Sequence, residues 1–140
     1  MNFINTPLRD VYVLEPKVFG DARGFFLESW NATTFRNAGF DLHFVQDNES
    51  SSRKGVLRGL HFQLDPYAQG KLVHVVRGAV MDVVVDIRPG SRTYGRHYKV
   101  RLDAETRHML WIPPGFAHGF VALEHDTVFV YKCTAYYHQP

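Results

Sequence analysis

The sequence predicts an all-β protein, a sandwich, jelly roll or barrel carrying one short helix. Three observations point there. Some ten short runs rich in β-branched and aromatic residues follow one another, with turn residues every eight to twelve positions. No alternation of strand and helix patterns supports a parallel α/β sheet. The 140 residues contain no internal repeat or linker-like stretch, so one domain spanning residues 1–140 is expected.

Along the chain, Val11-Tyr12-Val13-Leu14 reads as a strand ending near Pro16, and Gly20-Asp21 as a turn. Gly24 to Ser29 is an aromatic-rich strand. Asn31 to Asn37 is the single expected helix, because Asn31 can cap its start and Gly39 follows its end. Strand signals then dominate: Phe44 to Asn48, Val56 to Phe62, Lys71 to Arg77, Ala79 to Ile87, Arg96 to Leu102, Met109 to Ile112, Phe120 to Leu123 and Thr127 to Ala135. Gly78 reads as a tight turn, and Pro89-Gly90-Ser91 and Pro113-Pro114-Gly115 as breaks. In Met81 to Asp86 the alternation sets Asp82, Val84 and Asp86 against Met81, Val83 and Val85. The carboxylate-bearing face either meets solvent or lines a polar interior where it orients cationic side chains.

Composition narrows the classes of function. Hydrophobic residues make up 45% and charged residues 21%, with a formal net charge of +2. The Arg and Lys residues are dispersed, which argues against a nucleic-acid partner. No apolar run approaches membrane-spanning length, and Met1 to Asn5 has no signal-peptide pattern. One cysteine, Cys133, has no partner for an internal disulfide. These features predict a cytoplasmic protein with no membrane partner.

Three clusters carry candidate chemistry: Arg58 to Gln63, Gln69 to Val73, and Trp111 to Phe120. In a regular strand His61 and Gln63 share one face, with Arg58, Leu60 and Phe62 on the other. Pro113-x-Gly115-x-x-His118 resembles the second motif of cupins, and Gly59 to Gln63 occupies the place of the first. Metal-binding cupins carry His-x-His there, whereas this chain has His61-Phe62-Gln63. The amide removes a good nitrogen ligand, so no metal is expected. No P-loop or dinucleotide-binding glycine pattern is present, which argues against ATP- or NAD-dependent chemistry.

Six stretches taken in order resemble the dTDP-4-dehydrorhamnose 3,5-epimerases. They are Phe19-Gly20-Asp21-x-Arg23-Gly24-Phe25-Phe26-x-Glu28-Ser29, Phe44 to Asn48, Val56 to Gln63, Gly70 to Val73, Trp111-Ile112-Pro113 and Gly115 to Phe120. The resemblance runs from about Leu14 to Tyr137. It implies a cupin-type jelly-roll β-barrel with one short helix, a homodimer, and cofactor-independent epimerisation of a dTDP-linked 4-keto-6-deoxyhexose at C3, C5 or both. A 3,4-ketoisomerase and a sugar-nucleotide-binding cupin without turnover are the rival readings.

The resemblance also assigns roles. A proton next to a ketone is removed through an enolate, which calls for a base, positive charge at the oxygen, and an acid on the opposite ring face. His61 suits the base, since imidazole titrates near working pH. Lys71 and Arg58 suit the enolate oxygen, and Tyr131 the acid. Arg23, Phe26 and Glu28 match a segment approaching the nucleotide across a dimer interface. Gln46 and Asn48 match ligand-bonding residues, and Tyr137 a pocket-closing tyrosine. Structural roles stay open for several of these. Arg58 could pair with Asp82 or Asp86, His118 could cap the Pro-Pro-Gly turn rather than line the sugar pocket, and Tyr137 could belong to a frayed terminus. Family members usually continue past the position of Pro140 and supply from there an aspartate to the catalytic histidine. No residue here matches it. Either the sequence is part of a longer protein, or Asp82 or Asp86 substitutes, or the protein binds without turnover.

Overall fold

A computed structural model describes residues 1–139. Twelve strands and one helix make up the described elements. A six-stranded antiparallel sheet has the order β1 (Asn2–Asn5), β2 (Tyr12–Glu15), β10 (Met109–Ile112), β7 (Lys71–Arg77), β12 (Thr127–Cys133), β5 (Gln46–Ser52). A four-stranded sheet has the order β6 (Leu57–His61), β11 (Phe116–Ala122), β8 (Ala79–Asp86), β9 (His97–Asp103). β3 (Val18–Asp21) and β4 (Gly24–Leu27) form a separate hairpin arm. Among the described residues no helix is long and apolar enough to cross a membrane.

Strand periodicity builds the main core. Alternate residues Val73, Val75, Val80, Val84, Leu110, Ile112, Phe120 and Phe129 turn inward from the two sheets and are almost fully buried. Each such side chain contributes about 1.5–3 kcal/mol on burial. Val84 sits between Asp82 and Asp86 on this inner face, so the carboxylates of β8 point inward, both fully buried. A second cluster, Leu14, Phe35, Leu72, Met109 and Trp111, lies on the reverse face of the larger sheet. The helix α1 (Ala32–Asn37) delivers Phe35 to it. Asn31 caps α1 as expected, accepting from the Thr33 and Thr34 amides at 3.0 and 3.1 Å, a contribution of about 1 kcal/mol.

Several boundaries differ from expectation, each for a physical reason. β1 was not expected, yet it pairs along β2 and inserts Phe3 against Phe35 and Phe40. Gly20-Asp21 is not a turn but the end of β3. The turn comes two residues later, where Asp21 accepts the Arg23 amide at 2.8 Å and Gly24 takes a φ of +133°. β11 begins at Phe116 rather than Phe120, so His118 is a mid-strand residue and does not cap the Pro-Pro-Gly turn. β5 continues through Glu49-Ser50-Ser51-Ser52, polar residues whose strand character comes from pairing with β12.

Candidate active site

The inner wall of the barrel carries the polar side chains. On β5 the alternation turns Gln46, Asn48, Ser50 and Ser52 inward and leaves Asp47, Glu49 and Ser51 exposed. On β7 it turns Lys71 inward with Val73 and Val75, and Lys71 is 9% exposed. Tyr131 of β12 pairs with Val73 of β7 and Asn48 of β5, placing its half-buried ring among these residues. The Lys71 ammonium lies 5.5 Å from the Tyr131 ring centroid.

The placement of His61 depends on an irregularity that simple alternation misses. His61 pairs with His118, but Arg58 pairs with Phe120, so Gly59 and Leu60 oppose the single residue Gly119. This bulge adds a residue to β6 and reverses its alternation. Arg58 and His61, expected on opposite faces, therefore line the same pocket. A side chain at Gly59 would meet the Gly119 Cα at 2.7 Å, and one at Gly119 would meet the Arg58 carbonyl at 2.7 Å. The two glycines let β6 and β11 approach closely enough to set the two histidines side by side.

The result is an inner pocket of about 140 Å³ whose lining includes Asn48, Ser50, Arg58, His61, Lys71, His118 and Tyr131. Gln46, Asn48, His61, Lys71, Tyr131 and Tyr137 line an adjoining outer hollow of about 550 Å³. Gln63 and Gln46 clasp the end of the chain over that hollow. The Gln63 amide donates to the Tyr67 and Tyr136 carbonyls, its oxygen accepts from His138 N–H, and the Gln46 oxygen accepts from Tyr137 N–H. Tyr137 is therefore tied to the hollow rather than frayed.

Charge in the pocket is arranged around the two imidazoles. Partial desolvation by the pocket wall holds His61 below the ordinary histidine pKa, and the neighbouring Lys71, His118 and Arg58 lower it further. Its imidazole is thus neutral near pH 7 and free to accept a proton. Burial also lowers the Lys71 pKa, against the opposing pull of Cys133 and Asp82. Burial raises the Tyr131 phenol, and its hydrogen bond with Asn48 partly offsets this. His118 Nε2 lies 2.8 Å from an oxygen of Asp82. Asp82 is raised by burial, and its contacts with His118 and then Lys71 oppose that rise. Its other oxygen, Oδ1, has no partner among the described residues.

These contacts correct two expectations. Arg58 pairs with neither Asp82 nor Asp86: its Nε donates to Ser52 Oγ at 2.9 Å and its Nη2 to the Ser51 carbonyl at 3.2 Å. Neither carboxylate substitutes as the partner of His61. Asp82 holds His118, while Asp86 holds Arg88 at 3.0 Å and accepts from the Ser91 and Thr93 hydroxyls, stapling the 87–96 loop. That network holds the Asp86 carboxyl well below the usual range despite its burial. Among the described residues no three His, Cys, Asp or Glu side chains converge as metal ligands.

Arg23 and Phe26 sit on the exposed arm and Glu28 just beyond it, outside this pocket. Arg23 bonds Asp21 at 2.7 Å, and Phe25 packs under Arg107 with the guanidinium 3.9 Å from the ring centroid. Ser50, Ser52 and the Gln63 clasp were not marked out by any motif in the sequence. Period-two alternation continued past Asn48 would have marked both serines as inward.

His74 lies on the reverse face of the sheet, as its offset from Lys71 required. It shares a hollow of about 320 Å³ with Asp47, Glu49, Met109 and Lys132, and its Nδ1 has no partner among the described residues. Burial, with Arg107 and Lys132 adding to it, pushes its pKa down to about 4. Between about pH 6.5 and 4 the unfolded chain binds a proton at this site that the folded chain excludes, so stability falls as pH falls. The expected loss across that window is about 3 kcal/mol. Urea melts from pH 7 to pH 4 should show it, and His74→Leu should flatten this part of the profile. An unchanged profile in that variant would assign the acid limb to other groups.

The comparisons with known proteins agree with this geometry. The family model for dTDP-4-dehydrorhamnose 3,5-epimerase matches residues 5–140. A protein of that name from Shigella flexneri is 58% identical over 138 residues, 98% of this chain and 76% of the relative. The crystal structure of a dTDP-6-deoxy-D-glucose-3,5-epimerase from Legionella pneumophila, in complex with dTDP-4-keto-L-rhamnose, superposes with a TM-score of 0.94 at 52% identity, covering 98% of this chain and 73% of that one. A 3′-monoepimerase from Streptomyces bikiniensis, in complex with dTDP-quinovose, superposes with a TM-score of 0.91 at 36% identity, covering 96% and 69%. The fold is the cupin-type jelly roll of these enzymes, and the chain belongs to the dTDP-4-dehydrorhamnose 3,5-epimerase family.

Proposed function

We propose that this protein epimerises a dTDP-linked 4-keto-6-deoxyhexose by removing and returning a proton next to the ketone. The observation that carries this reading is the joint lining of one pocket by His61, Lys71, Arg58 and Tyr131. Neutral His61 takes the proton from the carbon. Lys71 holds the negative charge that develops on the ketone oxygen, and Arg58 adds positive charge for binding the anionic substrate. Tyr131 returns a proton from the opposite ring face, inverting the centre. Cationic donors fixed in a pocket need no reorganisation as the charge forms, which is why they lower the barrier. His118 is held in one orientation by Asp82 and faces the sugar beside His61.

Gln46, Asn48 and Tyr137 meet the substrate in the outer hollow. Arg23, Phe26 and Glu28 act on the nucleotide bound by a second copy, in a homodimer. Phe19, Phe25 and Phe26 of the arm are 53%, 56% and 67% exposed, an unusual display of aromatic surface that a partner would cover. A single free, buried cysteine is in keeping with a cytoplasmic location.

The test is proton NMR of dTDP-4-keto-6-deoxyglucose incubated with the protein in deuterated water. Loss of both the C3 and C5 proton signals is the expected result for a double epimerase. Loss at C3 alone identifies a monoepimerase, or a ketoisomerase if the carbonyl migrates. Bound substrate with no exchange at either carbon would overturn the enzymatic reading and leave a binding protein.

A further inference from the structure

Ser52 lies at the corner where the chain leaves the larger sheet for the smaller one. β5 and β6 are edge strands of different sheets, with no ladder between them. The Arg58 side chain crosses this seam from β6 and bonds Ser52 Oγ and the Ser51 carbonyl on β5. Ser52 is 5% exposed, and Arg58 supplies the hydrogen bond described for its hydroxyl. Its cross-strand neighbour Thr127 turns its own hydroxyl to the Ala79 and Glu124 carbonyls instead.

A guanidinium has five N–H donors in one plane. Nε and one hydrogen of Nη2 are committed to β5, which leaves the two Nη1 hydrogens and the second on Nη2. The group can therefore meet a ligand only end-on, through the Nη1 and Nη2 pair. That spacing suits two oxygens of one phosphate. We propose that Ser52 is a positioning residue, fixing Arg58 end-on toward the diphosphate of the nucleotide sugar. The proposal rests on the substrate class assigned above. Without the serine hydroxyl, the long Arg58 side chain is free to leave this orientation, and the fork is no longer preorganised when the anion arrives.

The test compares dTDP with thymidine, its phosphate-free counterpart, by ligand-observed NMR titration of the full chain. Ser52→Ala is expected to weaken dTDP binding about tenfold, the scale of one charge-assisted hydrogen bond, and to leave thymidine binding unchanged. Ser52→Thr, which keeps the oxygen, should restore dTDP affinity. In an Arg58→Gln background, Ser52→Ala should add no further loss, because the serine acts only through the arginine. In turnover, KM should rise with kcat unchanged. If the alanine variant does not fold, Ser52→Cys keeps the volume with a weaker acceptor and should show the same dTDP-specific loss. Unchanged dTDP affinity, equal weakening of thymidine, or a full additional loss in the Arg58→Gln background would each overturn the proposal. Failure of the wild-type protein to bind dTDP would instead overturn the substrate reading beneath it.

Discussion

His61→Asn is expected to abolish deuterium exchange at C3, lowering the rate by about 10²–10⁴-fold, the usual scale of a positioned general base. Asparagine keeps a polar side chain of similar reach but cannot accept and hold a proton from carbon. His61 is exposed on the cavity side and packs no core, so circular dichroism, melting temperature and dTDP affinity should stay close to wild type. Wild-type exchange in this variant would remove His61 from the mechanism. The wild-type pH profile carries a second expectation. Because partial desolvation by the pocket wall, and then the neighbouring Lys71, His118 and Arg58, lower the His61 pKa, the neutral base persists below the ordinary histidine value. The acid limb of kcat/KM should therefore fall below pH 6.5, and a limb above 6.5 would contradict the assignment.

Gly59→Ala is expected to damage both stability and activity. Its φ of +117° is strained for any L side chain, and the added methyl would meet the Gly119 Cα at 2.7 Å and the His118 carbonyl at 2.8 Å. Both neighbours are backbone, so relief requires β6 and β11 to separate. Strain and overpacking each cost about 1–3 kcal/mol, giving a combined loss of about 3 kcal/mol. For a chain of this length the melting temperature should drop by roughly 10 °C. Gly90→Ala is the matched control: its φ is +79°, but nothing lies within 4 Å of the added atom. It should lose only the strain, about 1 kcal/mol, and keep full exchange. Equal losses in the two variants would show that strain alone matters at Gly59. The separation of β6 from β11 should also uncouple His61 from His118, so exchange in Gly59→Ala should fall further than the unfolded fraction explains.

Local chemistry was legible wherever one residue type dictates its own neighbourhood. Asn31 announces the helix start because its side chain satisfies the free amides of the first turn. The alternation in Met81 to Asp86 separates the two faces of β8, although only packing decides which face is buried. Motif order carried the residue types of the site, His61, Lys71, His118 and Tyr131, all of which line one pocket. Less legible were elements whose character depends on a distant partner. Glu49-Ser50-Ser51-Ser52 has little intrinsic strand preference and becomes β5 because β12 offers it a ladder. Phe116 to Gly119 looks like loop chemistry and is strand because β8 lies beside it.

The amino-acid sequence was enough for the all-β class, the short helix, most strand positions and which titratable side chains were available to a pocket. Those follow from backbone propensity, period-two patterning and residue chemistry, which act within a few positions of the chain. Tertiary structure alone decided which of those side chains meet. The one-residue bulge at Gly59-Leu60 turned Arg58 and His61 to the same face, and inward packing of β8 gave Asp82 to His118 rather than to His61. The crossing from β6 to β5 gave Arg58 to Ser52 instead of a carboxylate. A register shift or a sheet crossing is set by the balance of many long-range contacts. No short stretch of sequence contains that balance.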